Sequence, residues 1–418
     1  MYGRSPFLGM VTSALLSAAM TGTPAVAATP DDLTVLTDFG GQDLAYAMAV
    51  QADGKVVSAG LTSTDGEYRV AMARHDPDGS LDATFGAGGK VVTDIGDHRY
   101  SLVRALSLQS DGKIVAAGAT DQDGRTVLAL LRYNVDGRLD ATFGTGGVAL
   151  ADVGGQAYGV TMQPDGKIVA AGSADADSVL VRYDAAGRPD RTFGAGGVVS
   201  TDLGGADETR AVAVQPDGRI VTTGVAQVRA DTDFATARYT TDGALDTSFG
   251  DGGVVITDVR RAESDDDARD LAVQPEGSIV AAGASAAGRG TNDDFALVRY
   301  RSDGSLDPAF GDDGMVVTDI GHGSTDKALA VTLQPDHRIV AAGVSGLPRL
   351  GDFALARYGG DGRLDVTFGD GGTIVTDVTG GTADDEAFAV AAVTDHTVLA
   401  VGVCRVGNSD FAMVRYRT

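Results

Sequence analysis

Residues 109–118 read Gln-Ser-Asp-Gly-Lys-Ile-Val-Ala-Ala-Gly, and this stretch recurs with small changes along nearly the whole chain. Asp-Gly between two apolar runs is the strongest short-range signal for a β-hairpin. The Asp of the stretch, or the residue in its place, stands at Asp53, Asp111, Asp165, Asp217, Glu276, Asp336 and Asp395. Recurrence of one unit of about 56 residues indicates a repeat architecture.

Three further elements complete each unit. A strand-like run such as Asp-Phe-Ala-Leu-Ala-Arg-Tyr at 352–358 is followed by Thr-Phe-Gly and then by Val-Val-Thr-Asp. No window shows a helical period. Four short strands repeated seven times predict an all-β, seven-bladed β-propeller with four antiparallel strands per blade. A β-solenoid is the rival, but its coils are normally shorter and lack tight hairpins.

The phase of the repeat predicts how the ring closes. We name the strands of a unit A (as in 105–108), B (113–116), C (352–358) and D (Val-Val-Thr-Asp). The chain begins with a lone D strand at 33–38 and ends with A, B and C strands at 388–393, 397–402 and 411–416. Pairing the first strand with the last C strand would complete the seventh blade and remove two unpaired edges. We therefore expect the last blade to be closed by the N-terminal strand.

These motifs resemble the delta-60 repeats of secreted bacterial proteins, and the resemblance covers nearly all of residues 33–418. It implies a propeller-like all-β fold and brings no established activity and no catalytic residues. Glu276, His337 and the Asp395-His396 pair depart from the Asp-Gly turn, so we expect longer or looser hairpins there.

Residues 1–27 are typical of a secretory signal peptide. Arg4 precedes an apolar stretch at 7–20, and Ala25-Val26-Ala27 offers a small-residue cleavage site. We therefore predict one propeller domain over 28–418 that is secreted, extracellular or periplasmic, after cleavage near Ala27. Cys404 is the one cysteine, so no internal disulfide can form, and we expect it to be buried.

Charge and motif content exclude several classes of function. A formal net charge of -25 argues against nucleic-acid binding, which needs a basic footprint. The sequence holds no H-E-x-x-H, no G-x-S-x-G, no Walker loop and no Rossmann fingerprint. We expect a monomer without a transmembrane segment, whose partner is an extracellular protein or glycan.

The spacing within the units assigns a variable face. Ten residues separate the end of strand C from the Thr-Phe-Gly Phe in six units, for example 75 to 85 and 358 to 368. Length changes fall in the B–C and D–A connections. Because strand direction alternates, those two connections share one face, and variable loops on a rigid scaffold are typical of binding sites.

The loops of this face are acidic. The candidate ligand-binding residues are Asp121, Asp123, Asp207, Glu208, Glu263, Asp265, Asp266, Asp267, Asp293, Asp294, Asp384, Asp385 and Glu386, with Asp175 and Asp177 in the same class of loop. Clustered carboxylates suit a hard cation such as Ca²⁺ or a basic partner, while plain solvation of a secreted surface is the simpler explanation. The Asp that ends each D strand is interpreted as a loop cap rather than a metal ligand. We predict no obligatory cofactor, with Ca²⁺ as the one candidate.

Two functions follow from this pattern. The first is a secreted, non-enzymatic binding or scaffold propeller that uses the B–C/D–A loop face. The alternative is a Ca²⁺-dependent extracellular hydrolase or lyase acting at the channel mouth. A structural role in a surface layer or in adhesion is a third, weaker candidate function.

Overall fold

The computed structural model describes residues 33–417 apart from 96–99, 229–230, 261–263, 289–291, 322, 348–349 and 382. The described residues form 28 β-strands and no helix. The strands are β1 Leu33–Thr37; β2 Gln42–Val50, β3 Val56–Thr64, β4 Glu67–His75, β5 Lys90–Thr93; β6 Ser101–Leu108, β7 Ile114–Gln122, β8 Arg125–Tyr133, β9 Val148–Gly154; β10 Gln156–Met162, β11 Ile168–Ala174, β12 Asp177–Tyr183, β13 Val198–Thr201; β14 Glu208–Val214, β15 Ile220–Val228, β16 Asp231–Tyr239, β17 Val254–Thr257; β18 Asp266–Val273, β19 Ile279–Ala286, β20 Asp293–Tyr300, β21 Met315–Thr318; β22 Thr325–Leu333, β23 Ile339–Leu347, β24 Asp352–Tyr358, β25 Thr373–Thr376; β26 Asp385–Thr394, β27 Thr397–Val406 and β28 Asn408–Arg417.

These strands form seven four-stranded antiparallel sheets, which are the blades of a β-propeller. Blade 1 has the order β2-β3-β4-β5, and blades 2 to 6 continue this order along the chain. The A strands β2, β6, β10, β14, β18, β22 and β26 contact one another in an unbroken ring around the axis. The predicted fold class, with its seven blades, is confirmed.

Blade 7 takes its outer strand from the other end of the chain. β1 pairs antiparallel with β28, from Leu33 opposite Arg415 to Thr37 opposite Phe411. Phe39 continues this contact, because its ring lies 5.0 Å from that of Phe411. The predicted closure by the N-terminal strand is therefore confirmed. The predicted signal peptide, residues 1–27, lies outside the described residues.

The three irregular A–B hairpins are not longer or looser than the others, so that prediction was wrong. His337 donates its backbone N–H to the Gln334 carbonyl, as the turn glycine does elsewhere, at a positive φ of 69°. Glu276 is followed by Gly277, which keeps the usual turn. The Asp395-His396 hairpin is tighter, since Thr394 already pairs with Thr397 across it.

Strand C of blades 1 to 6 carries a buried arginine, which in blades 1 to 5 donates a hydrogen bond to a carbonyl of the next blade. Arg132 Nε donates to Asp140 Oδ2 at 2.9 Å, its guanidinium lies 4.6 Å from the centre of the Phe143 ring, and Nη1 donates to the Ala185 carbonyl of blade 3. The Thr142 hydroxyl, together with Lys113 and Arg132, holds the pKa of Asp140 well below its usual range. The same Arg–Phe pair recurs in Arg74–Phe85, Arg182–Phe193, Arg238–Phe249, Arg299–Phe310 and Arg357–Phe368. The Phe of Thr-Phe-Gly is therefore an inter-blade packing residue, since Phe143 also packs with residues of blade 3.

A second link joins the last residue of strand C to the D strand of the preceding blade. Tyr133 Oη donates to Thr93 Oγ1 at 2.9 Å, and His75, which replaces the tyrosine in blade 1, bonds Thr37 at 3.0 Å. Tyr183 is the exception: its buried hydroxyl has no partner among the described residues. The matching position of blade 2 is Ala151 instead of threonine. One alanine therefore leaves one buried hydroxyl unsatisfied.

Replacing Ala151 with threonine should stabilise the protein by about 1 kcal/mol, because the new hydroxyl would form a hydrogen bond with the buried Tyr183 hydroxyl. The side chain at this position would become only slightly larger. Chemical denaturation of Ala151→Thr would measure the gain. Ala151→Val is the matched control, since valine has the shape of threonine without the hydroxyl. Equal stabilisation by both substitutions would show that packing, not the hydrogen bond, is responsible.

A chain that starts at Gly40 should be strongly destabilised, because it lacks β1 and exposes the edge of β28. We expect a lower melting temperature and self-association on size-exclusion chromatography. The control is a chain that starts at Leu33, which keeps β1. A monomeric Gly40 variant with unchanged melting would contradict the role of β1.

Candidate functional site

The B–C and D–A connections form one face, as the spacing predicted, and they hydrogen-bond to each other there. Asp207 N donates to the Ala176 carbonyl, Ala286 N to the Asp265 carbonyl and Asp385 N to the Gly351 carbonyl. Each of these bonds joins a D–A loop to a B–C connection. We call this surface the loop face.

A glycine and a β-bulge recur together beside the channel in every blade. The B-strand glycine pairs with the A-strand residue at which the register shifts, as Gly60 does with Ala45. A Cβ on Gly60 would lie 1.8 Å from the Leu44 carbonyl oxygen, so only glycine allows the two strands this approach. The next A-strand residue, Tyr46, is left out of the ladder, as is typical of a bulge.

The seven bulged residues line the channel. They are Tyr46, Arg104, Tyr158, Arg210, Arg269, Leu329 and Phe388, in blade order, and they surround a cavity of about 320 Å³. Their side chains are half-buried. Aromatic rings and guanidinium groups alternate along much of this ring, which gives the channel both stacking surfaces and positive charge.

Five of these seven side chains contact one another directly. The Phe388 and Tyr46 rings are 5.2 Å apart, and the Arg104 guanidinium lies 4.7 Å from the centre of the Tyr46 ring. Arg104 and Arg210 flank Tyr158 at 5.4 and 5.5 Å. The result is a run of five touching side chains around the channel wall.

The three channel arginines differ in their partners. Arg210 pairs with Glu208 at 2.8 Å and reaches Asp267 at 3.7 Å, while Arg269 pairs with Asp267. Arg104 forms no ion pair with a carboxylate of the described residues, and its buried Nε has no hydrogen-bond partner there. Arg104 is therefore the one channel arginine that has no counter-ion among the described residues.

Asp270 is the one acidic side chain in the channel wall described here. The residue after the bulge is alanine or glycine in the other six blades, but in blade 5 it is aspartate. Its Oδ2 accepts a hydrogen bond from Val331 N of the next blade at 2.8 Å. Burial raises the pKa of Asp270 to about 6.

The predicted acidic residues divide among three environments. Glu208, Asp267, Asp293 and Glu386 are neutralised in ion pairs, with Arg210, Arg269, Lys327 and Arg405. Asp123, Asp265 and Asp384 lie in turns and loops, where Asp384 accepts a hydrogen bond from Gly351 N, and Asp121 lies near the end of β7, opposite Thr126 of β8. Asp207, Asp266, Asp294 and Asp385 enter carboxylate clusters, and Glu263 lies outside the described residues.

Five carboxylate clusters recur at the junctions between blades. Each combines an Asp at the start of strand C, the Asp after strand D and an Asp at the start of strand A of the next blade, with oxygens within 4.8 Å of one another. The sets are Asp38–Asp43–Asp410, Asp177–Asp202–Asp207, Asp233–Asp258–Asp266, Asp294–Asp319–Asp326 and Asp352–Asp377–Asp385. Hard divalent cations prefer such all-oxygen donor sets.

The A-strand carboxylate of every cluster, and the D-strand carboxylate of most, also accepts a backbone hydrogen bond. The D-strand Asp caps its loop as predicted: Asp202 Oδ1 accepts a hydrogen bond from Gly204 N at 2.8 Å. The A-strand Asp207 is fully buried, and its Oδ2 accepts a hydrogen bond from Leu203 N at 2.5 Å. Burial and the neighbouring carboxylates raise the pKa of Asp352 to about 6.

Sequence reasoning missed Asp43, Asp233, Asp326, Asp352 and Asp410, and also the channel arginines. The Asp of Asp-Phe-Ala-Leu at the start of strand C was a usable signal, since it recurs beside the same Phe in several units. The A-strand Asp gave none, because it follows the D-strand Asp by five residues at 38 to 43 but by eight at 258 to 266.

One known family matches this sequence, over a segment of the repeat that recurs in five blades. A family model described as "Domain of unknown function (DUF5122) beta-propeller" matches residues 51–85, 109–143, 163–193, 215–249 and 274–310. These five segments of the chain, which together cover less than half of it, are similar to the DUF5122 β-propeller repeat. Each matched segment runs from the A–B hairpin to the Phe after strand C, so the channel-lining bulges and the D–A loops lie outside the matches. No curated protein matches the chain significantly.

Solved structures with the same fold are distant in sequence. A protein of unknown function from Dyadobacter fermentans is 14% identical, with a TM-score of 0.51 over 95% of this chain and 100% of that one. The polysaccharide lyase Uly1 is 10% identical, with a TM-score of 0.50 over 96% and 94%. A PL25 ulvan lyase bound to -[GlcA(1-4)Rha3S]- is 11% identical, with a TM-score of 0.50 over 91% and 95%. At these identities the similarity concerns the propeller fold of the DUF5122 repeats.

No described helix is long and apolar enough to cross a membrane.

Asp270→Asn should stabilise the protein near pH 7.5 and leave its stability near pH 4 little changed. The folded pKa of about 6 lies above the usual value of about 4, so ionisation of Asp270 costs stability as pH rises from 4 to 6. The gain above pH 6 is at most roughly 3 kcal/mol. Denaturant unfolding at several pH values would measure it, with Asp136→Asn as the control. A gain of equal size at pH 4 would contradict the assignment.

Proposed function

We propose that this protein is a secreted binding protein whose axial channel takes an anionic group from an extracellular ligand. The ligand class is a carboxylated or sulfated saccharide, or another molecule that combines a ring with an acidic group. The propeller acts as a monomer and has no catalytic role in this proposal. Its working surface is the loop face around the channel mouth.

Arg104 is the observation that carries the proposal. Its guanidinium lies between Tyr46 and Tyr158 in the channel and has no carboxylate partner among the described residues. A guanidinium presents several N–H donors in a fixed plane and recognises carboxylate and sulfate oxygens well. Neighbouring aromatic rings supply apolar surface for the ring of a ligand.

The positive charge in the channel contrasts with the negative charge of the whole protein. The formal net charge is -25, so general electrostatics repel anions from the surface. Three bulge positions nevertheless carry arginine, inside a cavity of about 320 Å³. That volume is at the lower end of the range for small-molecule sites, which suits one residue or two of a saccharide.

Binding should be measured by calorimetry with three hexasaccharides: hexagalacturonate, a chondroitin sulfate hexasaccharide and neutral cellohexaose. We expect the acidic probes to bind and the neutral one to be much weaker, with affinity falling as salt rises. Arg104→Gln should weaken acidic-probe binding about 10- to 100-fold, because a charged hydrogen bond is lost. Arg138→Gln is the matched control, since Arg138 is exposed in a C–D turn on the opposite face.

Two results would overturn this function. One is a failure of all acidic probes to bind. The other is equal weakening by Arg104→Gln and Arg138→Gln, which would show a loss of general charge and not of a site.

Asp270 favours a second candidate, a Ca²⁺-dependent extracellular hydrolase or lyase at the channel mouth. A carboxyl group with a pKa of about 6 beside Arg269 is suited to general acid–base catalysis. Mass spectrometry of the same probes after incubation with protein and CaCl₂ separates the candidates. Cleavage that Asp270→Asn abolishes would replace the binding role with catalysis.

A further inference from the structure

The seven blade junctions form an internal comparison at the loop face. The position at the start of strand C is Arg69, Val127, Asp177, Asp233, Asp294, Asp352 and Asp410 in blades 1 to 7. The partner position on strand A of the following blade is Ser101, Gly155, Asp207, Asp266, Asp326, Asp385 and Asp43. The two carboxylates are present together at five junctions and absent together at two, although the D-strand Asp stands at all seven. The aspartate at one position therefore occurs only where the aspartate at the other position is also present.

A cationic side chain joins the carboxylates at two of the junctions. At junction 1–2, Arg69 stands in the strand C position and its Nε binds Asp94 at 2.9 Å. At junction 5–6, Arg260 pairs with Asp294 of the cluster. These junctions show that the site accepts positive charge between the blades.

Junctions 3–4 and 6–7 have three carboxylates and, in the part of the chain that the structure describes, no such cation. No lysine or arginine of the described residues forms an ion pair with Asp177, Asp202 or Asp207. The same holds for the three carboxylates at junction 6–7, Asp352, Asp377 and Asp385. Three carboxylates this close repel one another unless a positive charge or protons compensate.

The buried carboxylate at each of these junctions also has an unused oxygen. Asp207 and Asp385 are both 0% exposed, and in each of them Oδ2 accepts a backbone hydrogen bond. Oδ1 of both residues is buried and has no donor in full hydrogen-bond geometry among the described residues, although the backbone N–H of Gln227 faces the Asp207 carboxylate and the Cys404 thiol and Arg405 N–H face that of Asp385. A buried acceptor without a donor is costly, and a bound cation would satisfy it.

We propose that junctions 3–4 and 6–7 each bind one calcium-type divalent cation between neighbouring blades. The ligands are Asp177, Asp202 and Asp207 at the first site and Asp352, Asp377 and Asp385 at the second. Oxygens within 4.8 Å of one another fit around a Ca²⁺ ion, since its bonds of about 2.4 Å place opposite ligands that far apart. Each ion joins strands C and D of one blade to strand A of the next and so strengthens the blade junction.

Calcium titration of the full chain, stripped with EGTA, tests both sites. We expect calorimetry to show at least two equivalents of bound Ca²⁺, and the melting temperature to rise by a few degrees because the ions bind only the folded state. Mg²⁺ at the same concentration should raise it much less, since its octahedral geometry is stricter.

Two single variants copy junctions that the chain already contains. Asp352→Arg copies Arg69 of junction 1–2, and Asp177→Val copies Val127 of junction 2–3. Each should lose one equivalent of Ca²⁺, and Asp352→Arg should also raise the melting temperature in EGTA, because its guanidinium replaces the ion. Asp111→Asn, in an exposed A–B hairpin, is the control and should keep the full stoichiometry. If Asp177→Val does not fold, Asp177→Asn replaces it.

The proposal fails if Ca²⁺ leaves melting unchanged, if Mg²⁺ has the same effect as Ca²⁺, or if Asp352→Arg keeps the parent stoichiometry. It does not depend on the anionic ligand of the channel. Calcium binding with no saccharide binding would support these sites and reject the proposed function, and the reverse result would do the opposite.

Discussion

Closure of the seventh blade is the constraint on which the rest of the structure depends. Each blade buries one face against the next, so a ring with an incomplete sheet would expose the edge of β28 and loosen every neighbouring junction. β1 fills that edge, and Arg415 of β28 donates from Nη1 to the Pro77 carbonyl of blade 1 at 2.9 Å. The ring of A strands, the channel inside it and the junction carboxylates all require this seam to be shut.

The channel combines a constant backbone with variable side chains. The B-strand glycine stands at every blade because the A-strand carbonyl approaches it too closely for a Cβ. The bulge that this approach permits leaves one residue outside the hydrogen-bond ladder. That residue can be tyrosine, arginine, leucine or phenylalanine without disturbing strand pairing, so the ring holds a specific set of groups on a regular scaffold.

The acidic character of the chain is also organised by the ring. Part of the negative charge of the protein lies at the blade junctions, where strands C and D of one blade and strand A of the next bring three carboxylates together. At junctions 1–2 and 5–6 a guanidinium group, of Arg69 or Arg260, pairs with a junction carboxylate. At junctions 3–4 and 6–7 no described guanidinium group does so. Channel and junctions therefore carry opposite charge on the same loop face, and the ion pairs of Glu208, Asp267 and Glu386 lie between them.

The sequence by itself determined the strands, the number of blades, the closing strand and the variable face, because hairpin turns and fixed spacings record local hydrogen bonding. It also supplied five cluster members, Asp177, Asp207, Asp266, Asp294 and Asp385, among its acidic residues. Only the tertiary structure decided which carboxylates meet, since each cluster draws on two blades and crosses D–A loops of unequal length. It alone revealed the channel arginines as well, because a bulge turns Arg104 toward the axis and simple strand alternation does not indicate a bulge.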